Sequence, residues 1–170
     1  MLKLLSPDSD LVPQKNIIAL PKLYTKNKYK AIEYGCISTE PNSDFPKRLK
    51  KIETDLTEVI SRYKIDASSI EELYFNNNSK TAIKVAEARG VILNTLETNN
   101  IPIFEYTPLQ AKQAIVGYGR ADKTQVKNMV KRFLNLETMP KLDDTTDALA
   151  IAICHTHSCR IGSYINVTKN

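Results

Sequence analysis

At 170 residues, 42% hydrophobic and 25% charged, the chain has the size and composition of one globular domain with a sizeable core. No apolar run approaches the ~20 residues a membrane helix needs, and the opening Met1-Leu-Lys-Leu-Leu5 is too short for a signal-peptide core, so neither a membrane-spanning nor a secreted protein is expected. The three cysteines, Cys36, Cys154 and Cys159, are too few and odd in number for a disulfide framework and fit reduced thiols in a cytoplasm.

Along the chain, residues 1–28 are the least regular. Asn16-Ile-Ile-Ala-Leu20 suits a short strand, while Pro7, Pro13 and Pro21 are expected to interrupt anything longer. Residues 29–39 alternate as a strand does and close at a turn near Pro41-Asn-Ser43. Ser43 or Asp44 then caps a helix with Pro46 in its first turn. Leu49, Ile52, Leu56, Ile60 and Tyr63 keep its apolar period, with Lys47, Arg48, Lys50 and Lys51 facing out. A strand over 70–75 leads through Asn76-Asn-Asn-Ser79 into a helix over 80–96, with Ile83, Ala86, Gly90, Leu93 and Leu96 on one side. Gly90 in mid-helix costs about 1 kcal/mol against alanine, so a close helix or sheet contact is expected there.

A short strand over 101–107 and a helix over 108–115 follow, then Gly117-Tyr-Gly119 as a hinge. Asp122 and Gln125 are a capping pair for a second helix. The last helix starts at Asp144, and the polar stretch 158–170 is expected to form a flexible tail. Alternating strands and helices predict an α/β fold with helices on both sheet faces. Without repeat, low-complexity tract or linker, residues 1–170 read as a single domain.

The chemistry concentrates in Asp144-Thr-Thr-Asp147-Ala-Leu-Ala-Ile-Ala-Ile. Two carboxylates three residues apart share a helix face, and the apolar run behind them reads as a buried helix body. A plain charged helix start is the bland alternative. A third acid raises the functional reading: Glu71 lies in a strand-like apolar run, where a buried carboxylate needs a partner or a metal. Acids on a strand and a helix suit a hard divalent cation. Residues 108–133 hold six basic residues (Lys112, Arg120, Lys123, Lys127, Lys131, Arg132) against the single acid Asp122, which accounts for the whole +5 excess of the chain. Lys123, Lys127 and Lys131 form a helical stripe, and a solvated face competes with a phosphate-backbone track as its meaning.

Several motifs in order make the chain similar to a known family. Ser69-Ile-Glu71-Glu-Leu-Tyr-Phe75, Ala86-Glu-Ala-Arg-Gly90, Tyr106-Thr-Pro-Leu-Gln-Ala-Lys112-Gln, Val116-Gly-Tyr-Gly-Arg-Ala-Asp-Lys123 and the Asp144 segment resemble the RuvC-type Holliday-junction resolvases from about Tyr29 to His157. The resemblance implies a ribonuclease-H-like fold, a mixed five-stranded sheet flanked by helices. It implies a homodimer that nicks four-way DNA junctions at symmetry-related positions in recombination and repair, with a branch-migration helicase as a further partner. Four acidic positions would hold two Mg²⁺ or Mn²⁺ ions, and Glu71, Asp144 and Asp147 match three of them as catalytic metal ligands. Lys112 and Lys123 match basic residues at the rim of the site that contact DNA, and Tyr74 matches an aromatic position where a ring can stack on an unpaired base.

The fourth acid has no match. The family carries it on the first strand, in an apolar run followed by Asp-Pro-Gly, whereas this chain has no glycine before Gly35. The atypical segment 1–28 therefore predicts a first strand that is altered or missing. Three explanations stand: an altered or misassigned family start, a junction-binding relative impaired in catalysis, or replacement of the lost acid by Asp8 or Asp10. The corresponding expectation is weak cleavage or none. Cys154-His155-Thr-His157-Ser-Cys159 has no standard zinc-finger spacing, and Cys154 is expected in the core. Tyr118 is either a mobile DNA contact or a plain surface aromatic, Arg89 is expected to hold a helix in place, and Glu72 to be solvated opposite Glu71.

Overall fold

The computed structural model describes residues 2–4, 15–24, 28–72, 79–138, 140 and 143–167. Strands β1 (Leu2–Leu4), β2 (Lys15–Tyr24), β3 (Lys28–Ser38), β4 (Ser68–Glu71) and β5 (Ile103–Tyr106) form one mixed sheet in the order β3-β2-β1-β4-β5. β1–β2 and β2–β3 are antiparallel, β1–β4 and β4–β5 parallel. The first strand is thus present, three residues long, at the centre of the sheet. Its residues Leu2, Lys3 and Leu4 include no acid, and Asp8 and Asp10 lie outside the described residues.

Helices cover both faces, as the alternation of elements requires. On one face α1 (Phe45–Arg62) and α2 (Ser79–Thr98) bury Ile52, Leu56, Val85, Ala88, Ile92 and Leu96 against Ile37 and Ile70. On the other, α3 (Pro108–Val116), α4 (Lys123–Leu134) and α5 (Asp143–Val167) gather Ile115, Val126, Val130, Leu134 and the buried run 148–153. That run is buried on all sides, as befits a helix packed between the sheet and other helices. α5 packs across all the strands, including β4 and β1. It stays helical to Val167, through residues where the composition expects a flexible tail. Among the described residues no helix is long and apolar enough to cross a membrane.

Four expectations need correction. β2 does not stop at Pro21. It runs through it because the register with β3 shifts between Leu20 and Pro21, skipping Ile32. Beyond Ile18 the described pairing of β2 is to β3 alone, so the missing N–H of proline costs no inner ladder bond. Arg48 does not face out: it is buried in line with Ile52 and Leu56, and its Nε donates to Thr39 Oγ1 at 3.0 Å. α2 turns Val85, Ala88, Ile92 and Leu96 inward, leaving Ile83 60% exposed with Ala86 and Gly90 also outside. α2 carries apolar residues on more than one side, so period alone selects no face. Among the described residues, a Cβ at Gly90 would accordingly meet nothing within 4 Å.

Candidate active site

Glu71 closes β4, half-buried, opposite Tyr106 of β5. The ladder goes one residue further, the Glu72 N–H donating to the Tyr106 carbonyl at 2.9 Å, and Glu72 is half-buried rather than fully solvated. Arg89 reaches over from α2, with its side chain only 12% exposed. Its Nη1 donates to the Glu71 carbonyl at 2.9 Å and its Nη2 to Glu105 Oε1 at 2.6 Å. The motif Ala86-Glu-Ala-Arg-Gly90 points to an arginine that holds a helix, and the structure shows what it holds: the end of the strand that carries Glu71.

The other two candidate acids lie at the start of α5. Asp144 lies in its first turn and Asp147 one turn on, both half-buried, with Thr145 and Thr146 buried between them. Thr146 Oγ1 is buried with no hydrogen-bond partner, a cost of about 1–3 kcal/mol. α5 packs on β4 as it does on the other four strands. Three carboxylates are the right donor set in kind for a hard cation. Even so, among the described residues no three His, Cys, Asp or Glu side chains are gathered closely enough to hold a metal ion.

The basic segment lies in the same layer. α3 begins with Thr107 accepting from Gln110 N–H at 3.1 Å while Gln110 Oε1 accepts from Thr107 N–H at 2.8 Å, a reciprocal cap. It ends on Gly117 at φ +90°, a conformation that favours glycine. Asp122 and Gln125 cap α4 in the same reciprocal way. A Cβ at Gly119 would collide with the Leu109 side chain, so the loop between α3 and α4 lies close on α3, with Tyr118 47% exposed. Lys112 is half-buried on α3 and Lys123 exposed at the start of α4. Lys127 differs from its stripe-mates: its Nζ lies 3.4 Å from Asp143 Oδ1, tying α4 to the first turn of α5. Tyr74 lies outside the described residues.

The Cys/His segment does not converge on one point. Cys154 is buried with Sγ 3.6 Å from the Gln110 carbonyl. His157 Nδ1 lies 3.1 Å from the Ala114 carbonyl, its ring against both Tyr29 and Phe133. His155 Nδ1 is 2.8 Å from the Tyr106 hydroxyl, with Phe104 tilted against its ring and Cys159 Sγ 3.3 Å from Nε2. These partners make the segment part of the packing between α5, α3 and β5. Sequence spacing had no means of pairing His155 with a tyrosine 49 positions away.

The family model for crossover junction endodeoxyribonuclease RuvC matches residues 22–155. The chain is 52% identical over 144 residues to the crossover junction endodeoxyribonuclease RuvC of Alkaliphilus metalliredigens (strain QYMF), covering 85% of this chain and 88% of that protein. It is 49% identical over 138 residues to that of Clostridioides difficile (strain 630), covering 81% and 82%. The solved structure of T. thermophilus RuvC in complex with Holliday junction substrate aligns at TM-score 0.82 and 28% identity, over 95% of this chain and 96% of that one. The family match takes in Glu71, Asp144, Asp147 and the basic helices, and it begins inside β2, within the atypical segment 1–28. Half-identical to such relatives over most of their length, and carrying their fold, the chain belongs to the RuvC family of crossover junction endodeoxyribonucleases.

Proposed function

We propose that this chain is a divalent-cation-dependent endonuclease that nicks four-way DNA junctions in recombination and repair, acting in the cytoplasm as a homodimer with a branch-migration helicase as partner. The observation that carries the reading is the family match over residues 22–155, which includes Glu71, Asp144, Asp147, Lys112 and Lys123 together. Glu71, Asp144 and Asp147 are the carboxylates that would hold two Mg²⁺ ions, or Mn²⁺ in their place. Bound there, such ions supply water activation and charge stabilisation for in-line displacement at a phosphodiester. The protein's own part is positional and electrostatic. β4 and α5 present the acids, Lys112 and Lys123 neutralise the DNA backbone at the rim, and Tyr74 offers a ring for an unpaired base. The outward stripe Ile83, Ala86 and Gly90 on α2 is a face on which a second copy can pack closely.

One observation favours a second reading within the same family, a junction-binding relative impaired in cleavage. The central strand β1 carries Leu2, Lys3 and Leu4 and no carboxylate. The deciding experiment incubates a synthetic four-way junction with the full chain and Mg²⁺, scoring nicking and gel retention side by side. The nuclease reading expects paired nicks from the unaltered chain. For Asp147→Asn it expects loss of nicking of at least about a hundredfold, with junction affinity within about twofold, as removal of one preorganised charge-stabilising group would give. Retention without nicks by the unaltered chain establishes the second reading. Neither nicking nor retention would defeat both.

A further inference from the structure

Arg89 sits on α2, on the sheet face opposite α5, and belongs to neither the acid set nor the basic segment. It nevertheless makes two directed bonds at the edge of the proposed site, to the backbone of Glu71 and to the carboxylate of Glu105. We infer that Arg89 is a positioning residue that fixes Glu71 for metal binding by clamping the end of β4 to β5. This inference rests on the proposed role of Glu71.

Glu71 is the last residue of β4, one residue before the last described ladder bond to β5. On the β5 side, the following peptide is anchored by the Glu72 N–H to the Tyr106 carbonyl. The Glu71 carbonyl itself is taken by Arg89 Nη1 at 2.9 Å. A peptide held at both its N–H and its carbonyl cannot rotate, so the direction of the Glu71 Cα–Cβ bond is set. The guanidinium is in turn oriented by Glu105 at 2.6 Å, two strand residues from the turn that starts α3. Arginine suits this task because its planar fork makes two divergent bonds at once, whereas the lysine ammonium is a point charge on a flexible stem. Groups that orient ligands in this way change metal affinity by roughly ten- to a hundredfold when removed. A plain staple between α2 and the sheet would change stability alone.

The test measures Mn²⁺ binding to the full chain by electron paramagnetic resonance, together with the Mg²⁺ concentration giving half-maximal nicking of a four-way junction. Arg89→Ala, Arg89→Lys and Glu105→Gln are compared with the unaltered chain and with Glu71→Gln. The expected result is Mn²⁺ affinity weakened about tenfold or more in Arg89→Ala. Glu105→Gln, which keeps a neutral acceptor, should lose less, and Arg89→Lys should fail to restore full affinity. Junction retention stays within about twofold throughout, since no phosphate contact is removed. Should Arg89→Ala not fold by circular dichroism, Arg89→Lys and Glu105→Gln carry the same readout. A lowered Tm with unchanged Mn²⁺ affinity in the folded variants would overturn the inference and leave a staple. Equal Mn²⁺ binding by the unaltered chain and Glu71→Gln would instead overturn the ligand role of Glu71, and the inference with it.

Discussion

His155 is the half-buried imidazole of α5, and burial pushes it below its ordinary value of 6.5. Burial also raises the Tyr106 phenol, whose hydroxyl lies 2.8 Å from His155 Nδ1, while Cys159 Sγ lies 3.3 Å from Nε2. A folded state that prefers the neutral imidazole binds fewer protons than the unfolded chain once pH drops below about 6.5. Stability is therefore full above that value and declines as pH falls through it toward the depressed folded value. Thermal melts between pH 7.5 and 5.5 at constant salt should show a loss of Tm in the unaltered chain and a shallower loss in His155→Asn. Parallel slopes would show that His155 is not the group responsible. Glu71, Asp144, Asp147, Lys112 and Lys123 are legible as residue types because carboxylates and lysines announce their chemistry in any context. His155 announces nothing until its partners are known, and Arg89, readable as a residue that holds a helix, does not reveal that it binds Glu71 and Glu105.

α4 shows how far a single element can be read. Its start follows from Asp122 and Gln125, and Lys131 and Arg132 in the last turn oppose the helix dipole. Asn135 then ends it at φ +49°. All of this is local, so the helix is recoverable from a dozen residues. The three lysines of its stripe are equivalent in sequence and different in the fold. Lys123 is exposed and free to meet phosphate, whereas Lys127 is drawn toward Asp143. Lys123→Ala should weaken junction binding and reduce the slope of log K against log salt by about one. Lys127→Ala should change that slope less. A filter-binding series from low to moderate salt reads both, and equal slopes for Lys123→Ala and the unaltered chain would remove Lys123 from the track.

At the scale of the whole molecule, the question is what covers the outer face of α2. Ile83 is 60% exposed, Ala86 is exposed, and Gly90 has open space around it. A large apolar side chain beside small residues is what close packing of two helices uses, and the family resemblance implies a homodimer. With the proposed dimer packed on this face, Ile83→Glu should shift the protein from dimer to monomer in sedimentation velocity at micromolar concentration while leaving its circular dichroism unchanged. An unchanged sedimentation coefficient would place the contact elsewhere. A dimer also bears on activity, because paired nicks require two sites, so the same variant should nick one strand of a junction without its symmetry mate.

From the sequence alone come the alternation of strands and helices, the Asp122–Gln125 cap of α4 and the buried body of α5. The cap and the helix body are each set by residues close together in the chain. Only the tertiary structure decided that Arg48 turns inward to Thr39, that β2 passes through Pro21 by a register shift, and that β1 stands at the sheet centre without an acid. It also chose the inner face of α2 and gave Arg89 its two partners. These outcomes turn on which distant surfaces meet. Periodicity states that a face is apolar, but the free energy of burial is assigned only when another element arrives to cover it.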